Sequence, residues 1–174
     1  PLLFLKPPSA LLSPGRAIVR PAGFERCDYE GELAVVIGRR CHRQSVSSAL
    51  NYVLGYTLCN DVTVRDLQKK DGQFTRAKGF DSFCPLGPVV STDFDLAKAA
   101  VQSRLNGKLV QDGRSDELIF SIEELVSFIS QVMTLEPGDV ISTGTPAGVG
   151  NLQPGDVIEL SADGIGSLFN PVVA

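Results

Sequence analysis

The chain has 174 residues, 43% of them hydrophobic, and a net charge of −4, the proportions of one folded domain with a sizeable core rather than of two domains or a disordered chain. That acidity, with only short basic spots at Arg39-Arg40 and Lys69-Lys70, argues against nucleic acid as a partner, and no apolar run approaches the roughly 20 residues that cross a bilayer, so the expected setting is the cytoplasm. Four cysteines without a CxxC pair and a single histidine, His42, disfavour a zinc site and a disulfide framework.

The chain opens on PLLFLKPPSALL without a Met and reads as a segment already under way, so upstream residues are expected. Frequent turn signals with short apolar runs between them predict strands at 17–20, 32–37, 55–59, 87–91, 101–105, 108–111, 139–143, 156–161 and 167–173. Short helices are expected at 46–53 and 64–70. In RLNGKLV, Asn106-Gly107 is the pair that accepts positive φ at both centres of a type I′ hairpin turn. A second hairpin is expected around Asp163-Gly164-Ile165-Gly166. From about 122 to 133 the apolar stripe Ile122, Leu125, Val126, Ile129 and Val132 marks the longest helix, opened by a Ser121/Glu124 capping box. LEPGDVIST and LQPGDVIEL share a core that reads as a Pro-Gly turn feeding a strand twice, not as a repeat architecture. The fold class expected is mainly β, a single domain over 1–174.

The chemistry concentrates in three stretches. YEGELAVVIG sets Glu30 and Glu32 two residues apart in a strand, so both carboxylates point the same way, with Cα atoms roughly 6.5 Å apart. That spacing also suits the solvent face of a half-exposed strand. Ala34 and Val36 continue the same face, however, and make it apolar within two residues, as at the mouth of a cleft. Asp61 follows the apolar run GYTLCN and could complete a trio. Three carboxylates about 4 Å apart repel by roughly 4 kcal/mol per pair at an effective dielectric of 20. A hard divalent ion removes that cost, and an all-oxygen set suits Mg²⁺ or Mn²⁺ before zinc, with Ca²⁺ a third candidate.

The second stretch, residues 60–88, carries Arg65, Gln68, Arg76 and Lys78; partial burial of Lys78 could hold an ammonium beside the metal. The third, STGTPAGVG at 142–150, could bring backbone N–H groups close to an anion, although it lacks the lysine of a phosphate loop and the spacing of a dinucleotide fold. Singly, each of these residues also has an ordinary structural reading as solvated loop or tight turn.

Together, YEGELAVVIG, GYTLCNDVTVRDLQ, RAKGFDSFCPLGP, RLNGKLVQ with SDELIFSI, and LEPGDVISTGTPAGVG resemble the fumarylacetoacetate hydrolase family, in its order and over nearly the whole chain. The resemblance implies a mixed β-roll or β-sandwich with one longer helix and a few short ones, usually a homodimer. It implies one Mg²⁺ or Mn²⁺ held by Glu30, Glu32 and Asp61, an active-site Lys78, and substrate contacts from Gln68, Arg65, Gly144 and Thr145. The substrate implied is a 2-oxo acid whose enolate the site stabilises. Hydrolytic relatives activate water with a His and Glu pair in a lid upstream of the FLKP segment, which these residues do not include. The expected activity is therefore that of an isomerase or decarboxylase of the 2-hydroxyhepta-2,4-diene-1,7-dioate type in aromatic catabolism. The alternatives are a C–C hydrolase of acylpyruvates or fumarylacetoacetate, an oxaloacetate decarboxylase, and a non-catalytic metal-stabilised scaffold.

Overall fold

Short strands dominate the computed structural model, which describes residues 1–174. In chain order they are β1 (Leu11–Leu12), β2 (Ile18–Val19), β3 (Cys27–Tyr29), β4 (Gly31–Ile37), β5 (Val53–Asn60) and β6 (Thr63–Val64). Helices α1 (Arg65–Asp71) and α2 (Thr75–Lys78) follow, then β7 (Cys84–Ser91), β8 (Ala100–Leu105), β9 (Lys108–Arg114) and helix α3 (Ile122–Val132). The chain closes with β10 (Val140–Ser142), β11 (Gly150–Asn151), β12 (Val157–Ala162) and β13 (Gly166–Val173).

Three sheets share one buried core. Their strand orders are β1-β7-β5-β4-β10, β11-β3-β6 and β2-β13-β12-β8-β9. The β1–β7 and β13–β2 pairs are parallel and the others antiparallel, so the fold is mixed and mainly β. Strand β4 lies inside the first sheet, and all seven of its residues are buried. That burial explains its near-continuous apolar run and excludes a solvent-facing role for Glu32; Glu30, in the link between β3 and β4, is buried as well.

Several local expectations are met. Asn106 and Gly107 have φ of 51° and 81°, the positive pair a type I′ turn requires. The Ser121/Glu124 capping box opens α3. The shared Pro-Gly-Asp words make the same turn twice: the Asp139 carboxylate accepts the Glu136 N–H at 2.7 Å, and Asp156 accepts that of Gln153 at 2.7 Å. Other expectations need correction. The 46–53 helix is a 3₁₀ turn, Val46–Tyr52, and β5 starts directly after it at Val53. Strands β1, β3, β6 and β11, of two or three residues each, and the single turn α2 have no counterpart in the sequence reading. All four cysteines are free and buried.

Candidate active site

Antiparallel pairing of β4 with β5 sets Gly31 opposite Asn60 and Glu32 opposite Cys59, so the first residues of β4 lie beside the last of β5. Asp61, one residue past β5, donates its N–H to the Glu30 carbonyl at 2.9 Å, and the Asn60 side chain accepts the Glu30 N–H at 2.9 Å. Pairing thus brings a carboxylate distant in sequence beside Glu32 at the start of β4 and Glu30 just before it. Oxygens of Glu30, Glu32 and Asp61 all lie within 4.8 Å of one another, and the three residues are 6%, 4% and 1% exposed.

Two of the three carboxylates are matched by cations. Lys78, buried at the end of α2, donates from Nζ to Glu30 Oε2 and the Thr63 hydroxyl at 2.8 Å each, and to Asp61 Oδ2. Its ammonium also sits 4.7 Å from the centre of the Phe4 ring, a favourable cation–π position. Lys6 donates to the other Asp61 oxygen at 2.6 Å, and Arg65 donates to Glu30 Oε1. Glu32 has neutral donors only: the Ser142 hydroxyl and the Gly144 N–H both reach Oε2, the latter at 2.8 Å. Burial, followed by the Asp61 charge, pushes its carboxyl up to about 8, against the pull of Ser142 and Gly144. A buried, cation-free carboxylate next to two others is the arrangement a divalent ion relieves. The all-oxygen donor set fits a hard ion such as Mg²⁺ or Mn²⁺.

The remaining residues singled out in the sequence divide into cavity wall and support. Gln68, Lys78, Gly144 and Thr145 line a cavity of about 600 Å³ together with the trio. Arg65 does not line it. Its guanidinium lies behind Glu30 and donates to Asp28 at 2.8 Å, to Gln68 at 2.9 Å and to Glu30. The Gly144 N–H is taken up by Glu32, and the Thr145 hydroxyl donates to the Gly31 carbonyl at 3.0 Å. Among the groups of the cavity wall, the Gln68 NH₂ group and the Thr145 backbone N–H are bonded to no protein acceptor, whereas the three N–H groups of Lys78 are all engaged. The rest of the lining is largely apolar and includes Leu3, Phe4, Leu118, Ile119, Leu125 and Ile129.

Lys6, Asp28, Gln111 and Ser142 went unnoticed as site residues. Asp28 is 0% exposed, with both oxygens engaged by Arg26 and Arg65. Its place two residues before Glu30, in the same alternation, was the signal available. His42 is exposed, with Nδ1 3.3 Å from the Thr134 hydroxyl, and is not part of the cavity wall.

A carboxylate trio, a buried lysine and a loop N–H at one end of a cavity, all carried on a mixed β scaffold, define an acidic oxygen-donor centre. The chain belongs to the fumarylacetoacetate (FAA) hydrolase C-terminal family, which matches it over residues 1–173. It is 49% identical to the crystal structure of 2-hydroxyhepta-2,4-diene-1,7-dioate isomerase from Mycobacterium marinum, with a TM-score of 0.97 over 99% of this chain and 69% of that one. The 4-hydroxyphenylacetate degradation bifunctional isomerase/decarboxylase of Salmonella dublin is 41% identical over 99% of this chain, which spans 41% of that protein. Fumarylpyruvate hydrolase from Pseudomonas aeruginosa, solved in complex with Mn²⁺ and pyruvate, is 32% identical with a TM-score of 0.91, over 98% of this chain and 77% of that one. Isomerase, decarboxylase and hydrolase names thus all occur among enzymes of this family with close similarity to the chain.

Proposed function

We propose that this chain is the catalytic domain of a divalent-metal-dependent enzyme that acts on 2-oxo acids through an enolate, as an isomerase or decarboxylase of the 2-hydroxyhepta-2,4-diene-1,7-dioate type. The observation that carries the reading is Glu32, buried without a cationic partner within 4.8 Å of Glu30 and Asp61. In this reading Glu30, Glu32 and Asp61 hold Mg²⁺ or Mn²⁺. A bound ion supplies Lewis-acid stabilisation of the negative charge that grows on the substrate's keto oxygen.

The chain's own groups do the rest. Lys78 adds a fixed positive charge in a shielded site, where charge stabilisation is stronger than in water. Its three contacts to Glu30, Asp61 and Thr63 hold the ammonium in place beforehand. The Thr145 N–H and the Gln68 NH₂ group serve the substrate carboxylate. Arg65 acts indirectly, by fixing Glu30 and Gln68.

Hydrolysis is the second reading, favoured by the likeness to the Pseudomonas hydrolase. It requires in addition a base for water. Outside the trio the cavity wall has one carboxylate, Glu117, whose Oε2 accepts the Arg114 N–H at 2.9 Å. Assay of the purified protein with Mg²⁺ against the dienoic diacid, acylpyruvates and oxaloacetate separates the readings. The expected result is the highest kcat/KM on the dienoic diacid. Dominant acylpyruvate cleavage assigns the hydrolase instead, and metal binding without turnover of any of them assigns a scaffold.

A further inference from the structure

Gln111 closes a ring of hydrogen bonds around Gly31, the residue between the two glutamates. Its Oε1 accepts the Gly31 N–H at 3.0 Å, and its Nε2 donates to the Thr145 hydroxyl at 2.8 Å and to the Pro146 carbonyl at 3.0 Å. The Thr145 hydroxyl then donates to the Gly31 carbonyl at 3.0 Å, which completes the circuit. Three segments distant in sequence meet here: the start of β4, the middle of β9 and the loop after β10.

The chemistry of the ring is selective. Gln111 is 1% exposed, and its place demands one acceptor and two donors on a single planar group, which an ionised glutamate or a methionine cannot provide. Gly31 is equally constrained, since a Cβ there would sit 2.2 Å from the Ser103 hydroxyl and 3.1 Å from Gln111 Oε1. The carboxylates of the trio make no hydrogen bond to Gln111: Glu32 is held by Ser142 and Gly144, and Glu30 by Arg65 and Lys78. Thr145 does depend on it, because its hydroxyl is anchored only within the ring.

We propose that Gln111 is a positioning residue that sets the spacing between the carboxylate trio and the Thr145 N–H, and so decides how well an oxo acid spans the two. The inference rests on the function proposed above, with the loop as the carboxylate-binding side of the site. Displacing such a group by about 1 Å costs on the order of 100-fold in a catalysed reaction.

The test separates metal binding from ligand binding. In Gln111→Met, calorimetric titration with Mn²⁺ is expected to give an affinity close to that of the unmodified protein. Oxalate, a planar enolate mimic, is expected to bind the Mn²⁺-loaded variant on the order of 10- to 100-fold more weakly. Hydrogen exchange at the Gly31 amide, followed without metal, is expected to accelerate. Unchanged oxalate affinity, or equal losses of Mn²⁺ and oxalate affinity, overturns the positioning role. If the unmodified protein binds no Mn²⁺, the proposed function falls and takes this role with it, a result visible before any variant is made. Should Gln111→Met fail to fold, Thr145→Val removes the ring's hydroxyl at nearly constant volume and is read by the same three measurements.

Discussion

Glu32 and Lys78 do opposite electrostatic work in one cavity, and their substitutions should separate accordingly. Glu32→Gln removes a buried carboxyl that has no cation beside it and whose ionised form burial disfavours, so the metal-free protein is expected to melt at the same temperature or higher. The same change removes a proposed ligand, and Mn²⁺ affinity is expected to fall by at least on the order of 100-fold in a calorimetric titration. Lys78→Met strips Glu30 and Asp61 of a shared partner. Breaking a buried pair from one side costs roughly 3–5 kcal/mol, measurable as lost stability in urea without metal and expected to be largely regained on adding Mn²⁺. Turnover in Lys78→Met should fall more than metal affinity does; the reverse order assigns the lysine to scaffolding. Conversely, Lys6 and Arg65 leave Asp61 and Glu30 one cation each after that change, which limits the loss.

At the level of elements, the site exists because β4 and β5 pair in one register, and a slip by one residue would turn Glu32 to the opposite face. Gly31→Ala is expected to cost about 1–3 kcal/mol, since the new methyl must displace Ser103, and to weaken Mn²⁺ binding by pushing β4 off β8. Ser121→Ala, remote from the trio, should cost about 1 kcal/mol through loss of the α3 cap and leave metal affinity unchanged. These elements also show what a sequence can disclose. The type I′ turn, the capping box and the two Pro-Gly-Asp turns were readable because their determinants lie within four residues. Glu30 and Glu32 stood out because charge interrupts an apolar run. Strands such as β6 and β11 were invisible because two residues carry no periodicity and the pairing partner defines the strand. The wiring of the site was invisible for the same reason: Ser142 reaches Glu32 across 110 positions, and Lys6 reaches Asp61 across 55. The family resemblance supplied the candidate ligand set, whereas the places of Asp28 and Gln111 are fixed by contacts between segments distant in sequence.

Across the whole molecule, the two five-stranded sheets, helix α3 and the opening segment line one cavity that is acidic at the trio and largely apolar elsewhere. Phe4 packs edge-on against Phe74 at 5.7 Å between ring centres, and residues 1–4 form part of the wall, while Lys6 just behind them ties the segment to Asp61. Lys6→Met is expected to weaken oxalate binding and stability together, because it releases this stretch from Asp61. No helix is long and apolar enough to cross a membrane. The compensation of Glu30 and Asp61 by Lys6, Arg65 and Lys78 has a further consequence. A fold that neutralises most of its acidic centre internally does not need the ion to hold itself together. On the function proposed above, chelation should therefore leave a folded, silent protein: at an ion concentration 100 times the Kd, removal forgoes about 2.7 kcal/mol, or about 5–10 °C in Tm for a chain of this length. The ion can then come and go like a key in a lock that keeps its shape, and output would track how much free metal the surroundings hold.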